Sequence, residues 1–215
     1  MLMLESIAKE QFPGYLKDTN FIKGSTASEK KSNTETAIFD VVTLIQGAVD
    51  SDKALSGLFI DLKKAFDTVD HGILLNEIKV LGASETVANW FADYLSNRKQ
   101  AVMINSAFSE FKQIECGVPQ GSVLGPLLFS IFINDVFDLP LSGNLFMFAD
   151  DASLFYTTNT HIELLGQMQD DLNLLYDWFS RNKLTLKCGK TNFVIFSKPA
   201  VKVNLDTFLN YNHQT

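Results

Sequence analysis

Leu145-Phe146-Met147-Phe148-Ala149-Asp150-Asp151-Ala152-Ser153-Leu154-Phe155-Tyr156 is the stretch on which the fold turns. Leu145 to Ala149 is apolar throughout and reads as a strand, Asp150-Asp151 as a tip, and Leu154-Phe155-Tyr156 as the returning strand. Strands joined by so short a tip pair antiparallel. C-terminal to this hairpin, Thr160 to Arg181 reads as a helix, with Leu165, Met168, Leu172, Leu175 and Phe179 as a continuous apolar stripe that belongs to core packing. Thr191 to Phe196 follows as a last strand.

On the N-terminal side, Gly117 to Gly125 forms a Gly-rich loop, and Pro126 to Val136 reads as the helix it feeds. Ala101 to Ile104 and Phe108 to Ile114 look like a strand pair around Asn105-Ser106-Ala107. Ser84 to Leu95 is a helix capped by Ser84, with Val87, Trp90, Phe91 and Tyr94 on one face, and Ile73 to Leu81 is a helix stopped by Gly82. Leu58-Phe59-Ile60 is a short buried strand ending at Asp61, and Thr34 to Val49 is helical, with Ile38, Val41, Val42, Ile45 and Val49 recurring along it. The first 33 residues read as irregular. The order of strand, helices, strand pair, helix, hairpin, helix and strand implies an α+β fold. Its sheet is antiparallel with helices packed on one face, not doubly wound and parallel.

At 215 residues the chain has room for one domain with short appendages, and 46% hydrophobic content supplies a core. Cys116 and Cys188 match neither a zinc spacing nor a disulfide framework and suit a reducing, intracellular setting, nucleus or cytoplasm undecided. No apolar run reaches membrane-span length, since Val123 to Ile133 is short and holds Gly125, Pro126 and Ser130. Met1 to Gln11 has Glu5 and Glu10 and no basic start, which is unlike a secretory signal. The net charge of −7 argues against a protein that merely coats nucleic acid. Residues 57–160 carry 12 acidic against 6 basic side chains, so the negative excess is concentrated in the middle of the chain.

Asp61, Asp150 and Asp151 each stand at the end of an apolar strand. A carboxylate drawn toward an apolar interior costs several kcal/mol, of order 3 or more, unless a cation pairs with it. Lys63 and Lys64 are near Asp61, but nothing basic lies within 25 residues of Asp150 on either side. A divalent metal resolves the problem: Mg²⁺ takes one or two carboxylates plus substrate phosphates, and a pair of ions clamps both oxygens of a phosphoryl displacement. Because successive strand residues face opposite ways, Asp150 with Asp61 ranks as the primary pair and Asp151 as secondary. Taken alone, Asp-Asp at a tip is a solvated turn, and Asp61 a cap or turn residue. An aspartyl-phosphate nucleophile does not fit, because Leu62-Lys63 follows Asp61 instead of a second acid two residues on, and the parallel βα alternation is missing. In Gly117-Val118-Pro119-Gln120-Gly121-Ser122-Val123-Leu124-Gly125-Pro126, glycine and proline set an unusual backbone path, Gly121 would let a ligand approach the main chain, and Gln120 offers an amide.

Four motifs now occur in order: Phe59-Ile60-Asp61-Leu62-Lys63-Lys64-Ala65-Phe66-Asp67-Thr68-Val69-Asp70-His71, Pro119-Gln120-Gly121-Ser122-Val123-Leu124-Gly125-Pro126-Leu127-Leu128-Phe129, Phe148-Ala149-Asp150-Asp151, and Trp178-Phe179-x-x-Asn182-Lys183-Leu184-x-Leu186 leading to Lys190-Thr191. Together they resemble the palm of a reverse transcriptase (RNA-directed DNA polymerase) from a jockey-like non-LTR retrotransposon. The resemblance runs from about residue 34 to 197. It implies an irregular segment 1–33 left from the fingers, a palm domain 34–197 and a tail 198–215. It also implies nucleotidyl transfer from a dNTP to a primer 3′-OH on an RNA template, with two Mg²⁺ ions and Mn²⁺ as a substitute. Asp61, Asp150 and Asp151 match the family's metal-binding and catalytic aspartates. Phe66 falls at the steric gate against the ribose 2′-OH, Gln120 and Gly121 on the nucleotide-contacting loop, and Lys190 at the lysine near the triphosphate. Asp67 and Asp70 read as turn and helix-cap residues. Lys187 stands where related sequences usually carry Asn. Fingers and thumb look largely missing, no endonuclease domain is expected within these residues, and whether one lies upstream is left open. The alternative is therefore a catalytically inactive, truncated relic with at most weak nucleic-acid binding. Phe66 and the Phe-Ala-Asp-Asp tip weigh against an RNA-dependent RNA polymerase. No membrane partner is implied, and the oligomeric state is left open.

Overall fold

The computed structural model describes residues 5–12 and 34–196, which fall into two compact units. One takes in residues 5–12, 64–134 and 182–184; the other takes in 34–63, 135–181 and 185–196. The expected C-terminal tail 198–215, and residues 1–4 and 13–33 of the segment read as irregular, lie outside the described residues. Residues 5–12, read as irregular from the sequence, form a helix, α1. Among the described residues no helix is long and apolar enough to cross a membrane.

The unit holding 34–63 is built on a four-stranded antiparallel sheet. Its strands are β1 (Ala54–Asp61), β6 (Asn144–Phe148), β7 (Asp151–Thr158) and β8 (Asn192–Phe196), in the order β6-β7-β1-β8. Helices α2 (Thr34–Asp50) and α7 (His161–Arg181) both contact β1. This is the α+β arrangement implied by the hairpin at Asp150-Asp151. β1 extends four residues further toward the N-terminus than its apolar core Leu58-Phe59-Ile60, because Ala54 to Gly57 continue the same ladder with Thr158 to Phe155.

The two faces of the sheet differ. On one, Ser56, Leu58 and Ile60 pair with Tyr156, Leu154 and Ala152, and all six are buried. α7 covers this face, and the Ser56 hydroxyl donates to the Met168 sulfur at 3.1 Å. The stripe that does the covering is Leu164, Met168, Leu172, Leu175 and Phe179. Leu165, counted in the stripe from sequence, is only half-buried. Either leucine meets helical spacing, and the sheet's position selects Leu164. On the opposite face Phe59 is 37% exposed and stands edge-on to Phe155 at 5.9 Å. Asp61 and Asp151 belong to this more open face, because β-strand side chains alternate.

The unit holding 64–134 is mainly helical. α3 (Ala65–Thr68), α4 (His71–Val80), α5 (Glu85–Leu95) and α6 (Gly125–Phe132) surround a core that includes Leu74, Ile78, Phe91, Leu128 and Phe132. Ser84 caps α5 by accepting from the Val87 amide, and Asp70 caps α4 by accepting from Ile73, as the sequence suggested for both. Phe12 of α1 packs on Phe91 at 5.2 Å between ring centres. The helix expected to run from Pro126 to Val136 stops at Phe132, and a 3₁₀ turn, Asn134–Asp138, succeeds it.

The strand pair expected over 101–114 is shorter than its sequence suggests. It comprises β2 (Lys99–Gln100) on β5 (Lys112–Gln113), and β3 (Met103–Ile104) on β4 (Ala107–Phe108). The turn is Asn105-Ser106, both at positive φ, as a two-residue hairpin requires. The register shifts by one residue between the two ladders, so the returning strand carries a bulge between Phe108 and Lys112.

The asymmetry of the main sheet makes a direct prediction. Leu58→Ala, on the covered face, should lower stability by about 3 kcal/mol in urea unfolding, and Phe59→Ala on the open face by distinctly less. Equal losses would contradict the assignment of faces.

Candidate active site

β1 ends at Asp61 and β7 begins at Asp151, and the antiparallel register makes them direct partners. Directly opposed residues share a face, with Cβ atoms about 5 Å apart. Phe148 closes β6 and also pairs with Asp151, so the turn between the strands is Ala149-Asp150. Ala149 takes φ 54°, in the left-handed region, where a residue other than glycine is strained by about 1 kcal/mol. The apolar run in the sequence suggests a strand through Ala149, with Asp150 ahead of Asp151 as the partner of Asp61. The register places Asp151 opposite Asp61, and Asp150 one residue away in the turn. The difference arises because Ala149, not an acid, takes the turn's positive-φ position.

Three acids crowd one another here. The Asp151 carboxyl is held above the usual carboxylate range, first by burial and then by the charges of Asp150 and Asp61, against the opposing pull of Lys187 and Lys190. The Lys187 Nζ donates to both oxygens of Asp61 at 3.2 Å, and the Lys190 Nζ lies 3.6 Å from Asp61 Oδ2. These cations arrive from 126 and 129 residues away along the chain rather than from Lys63 and Lys64, which are exposed. The backbone explains their position. A short bridge pairs Leu62 with Leu186, the Lys63 amide donates to Thr185 O at 2.8 Å, and the Lys187 amide donates to Asp61 O at 2.9 Å. The segment after α7 is thereby stitched to the end of β1.

The donor set suits a hard divalent cation. Its oxygens are carboxylates, and the Lys187 ammonium bridging both oxygens of Asp61 is a stand-in cation. Among the described residues no group of three or more His, Cys, Asp or Glu side chains is arranged to hold a metal ion on its own. One or two protein carboxylates completed by substrate phosphates is the usual way Mg²⁺ is held.

The residues expected to touch a nucleotide divide between the two units. Lys190 is next to Asp61, as above. In the helical unit, the Phe66 ring stacks on Phe129 at 4.4 Å, and its carbonyl accepts from the Val118 amide at 2.8 Å. Gln120 is exposed, and its Nε2 donates to Asp67 Oδ1 at 2.8 Å. Gly121 has φ 75°, and a Cβ built there would meet nothing within 4 Å, so the glycine answers to backbone conformation rather than to lack of space. Gly117 is different: an added Cβ would come within 2.6 Å of Asp67 O, so this end of the loop lies hard against the segment after Phe66.

Two further side chains hold these segments, and the sequence reading did not single them out. Glu5 of α1 is 3% exposed, and its Oε2 accepts from the Val123 amide at 3.1 Å, which ties α1 to the Gly-rich loop. Tyr94 is close by, its phenol raised by burial and by the negative charge of Glu5. No local pattern marks Glu5. Asp171 on α7 is 1% exposed and accepts from the Ser142 and Gly143 amides at 3.0 and 2.9 Å, fixing the chain as it enters β6. Its signal was present: Asp171 is an acid on the apolar stripe between Met168 and Leu172.

A four-stranded antiparallel sheet with acids opposed at one strand end, and a helix over its other face, is the architecture of a polymerase palm. Apo telomerase from Candida tropicalis matches with a TM-score of 0.66 at 12% identity, covering 91% of this chain and 37% of that one, which supports the fold. The reverse transcriptase (RNA-dependent DNA polymerase) family model matches residues 4–210, and the chain belongs to that family. It is 35% identical over 162 residues to the probable RNA-directed DNA polymerase of transposon X-element from Drosophila melanogaster, covering 73% of this chain and 18% of that protein. It is 29% identical over 186 residues to the RNA-directed DNA polymerase of mobile element jockey from Drosophila funebris, covering 81% and 20%. The chain thus spans about a fifth of the length of these relatives. The resemblance to non-LTR, jockey-like elements read from the motifs is correct, and the matches do not favour an inert relic.

Two predictions follow from the supporting contacts. Removing the Glu5 carboxylate (Glu5→Ala) leaves the Val123 amide without its partner. The variant should lose about 1–3 kcal/mol in urea unfolding and show faster amide exchange within 117–125; unchanged exchange would deny the tether. The second concerns Asp70, whose pKa is lowered first by Lys183, 2.6 Å away, and then by the Ile73 amide. A lowered acid contributes stability above its unfolded pKa, about 4, and loses it as pH falls through the lower folded value. Asp70→Asn keeps the helix cap and removes the charge. Its Tm should lie slightly below wild type at pH 7, by the equivalent of about 0.5 kcal/mol, and converge with wild type in acid.

Proposed function

We propose that this chain is the palm of an RNA-directed DNA polymerase, with residues 34–197 as the working domain. It would extend a DNA primer on an RNA template from dNTPs. The observation that carries this reading is the direct pairing of Asp61 with Asp151, with Asp150 adjacent, in a chain of the reverse transcriptase family.

In the reaction the primer 3′-oxygen attacks the α-phosphorus of a dNTP, the bond to the β-phosphate oxygen breaks, and pyrophosphate leaves with the electron pair. Asp61, Asp150 and Asp151 are the residues that would hold two Mg²⁺ ions, or Mn²⁺ in their place. Such ions lower the pKa of the attacking hydroxyl and offset the charge that develops on the transferring phosphorus and the leaving oxygen. The protein's part is orientation and charge. The β1–β7 ladder holds Asp61 and Asp151 on one face of a sheet whose other face is packed, so the backbone that carries the carboxylates is already in place before reaction.

Lys190 is exposed apart from its contact with Asp61, and its ammonium is a proton donor suited to the departing pyrophosphate. Phe66 has its ring supported on one side by Phe129, which would hold a rigid apolar wall against a ribose 2′-hydroxyl. Gln120 and Gly121 present an exposed amide and an open main chain for the incoming nucleotide.

Primer extension on an RNA template tests the reading. Wild type should extend in a Mg²⁺-dependent manner, and Asp150→Asn should reduce extension by about 100-fold or more. Extension by the variant at the wild-type rate would place the activity elsewhere. In the same assay Phe66→Ala should raise ribonucleotide incorporation relative to deoxynucleotide severalfold, and unchanged sugar discrimination would remove the gate from the account.

A further inference from the structure

We propose that the Lys187 ammonium is a built-in competitor for the divalent cation at Asp61, so that a metal ion binds there only by displacing it. The inference rests on the reading of Asp61 as a metal ligand. Lys187 Nζ is 3.2 Å from both Asp61 Oδ1 and Oδ2, so it is centred on the carboxylate in the place a coordinated cation would take. Lys190 Nζ stands beside it, 3.6 Å from Oδ2.

The root of the Lys187 side chain is fixed. Its amide donates to Asp61 O at 2.9 Å, and its carbonyl accepts from the Lys190 and Thr191 amides at 2.9 and 3.0 Å and from the Thr191 hydroxyl at 3.2 Å. A lysine with its backbone anchored this close to the carboxylate returns to it whenever the site is vacated. The effective concentration of its ammonium does not fall on dilution.

The charges are near balance without a metal. Asp61 pairs with the ammonium groups of Lys187 and Lys190, both of which also act on Asp151, and Asp150 adds a third negative charge beside Asp151. A divalent ion added to that set would repel both lysines at short range, and Lys187 is the one whose contacts it would have to replace. The side chains are not deeply buried, with Lys187 38% and Asp61 23% exposed, so water screens the pair and the competition is modest. Lys187 thereby sets a threshold of cation concentration below which Asp61 stays paired with the protein's own charge.

Mn²⁺ binding to the full chain, read by the electron paramagnetic resonance signal of the free ion, tests this without reference to catalysis. Lys187→Met, which keeps the stem and removes the charge, should bind Mn²⁺ about fivefold more tightly than wild type. Lys187→Arg should bind like wild type. Asp61→Asn placed on Lys187→Met should abolish the gain. Lys187→Gln, run alongside, gives the same reading should the methionine disturb folding. Equal affinity of wild type and Lys187→Met overturns the competition and leaves Asp61 as a ligand. A gain that survives Asp61→Asn overturns it by placing the ion elsewhere. No binding by any variant overturns the competition and the metal-ligand reading together.

Discussion

The antiparallel ladder between β1 and β7 is the constraint on which everything at the site depends. Backbone hydrogen bonds running from Ala54 opposite Thr158 to Asp61 opposite Asp151 set the register. A slip of one residue would exchange the faces of a strand, carrying Asp61 toward α7 and Ile60 into the open. The buried pairs Ile60 with Ala152, Leu58 with Leu154 and Ser56 with Tyr156 oppose that slip. Packing on one face of the sheet thus fixes the positions of charges on the other.

That arrangement carries an electrostatic cost. Two carboxylates held as direct partners repel, and the Asp151 carboxyl is held above the usual range first by burial and then by the charges of Asp150 and Asp61. The protein meets the cost with lysines brought by the segment after α7, which closes onto β1 through Leu186 and Lys187. On the proposed reading, a divalent ion would replace the ammonium as the stronger cation at Asp61. Other constraints converge on the same elements: Asp171 secures the entry to β6, while strain at Ala149 is confined to the turn between β6 and β7.

Much of this was legible in the sequence because it is local. The apolar run ending in two acids marks a hairpin, Ser84 and Asp70 mark helix starts, and the order of motifs marks the family. The long-range content was not legible. Which of Asp150 and Asp151 meets Asp61 depends on a turn that puts Ala149 at positive φ, a conformation its side chain does not advertise. The chain around Asp150 carries no basic residue, and the lysines come from beyond α7 and approach Asp61 only in the folded sheet. Helix α1 was missed because eight residues among polar neighbours give too short a pattern, and the contact of its Glu5 with Val123 spans 118 residues.

The central claim is that Asp61 and Asp151 lie together as the seat of a divalent ion. Substoichiometric Mn²⁺ added to isotope-labelled protein tests it most directly, since the ion broadens only the amide signals close to where it resides. The account predicts that signals of Ile60, Asp61, Asp151 and Ala152 disappear first and that excess Mg²⁺ restores them. Broadening centred on another part of the chain, or spread evenly over it, would contradict the account.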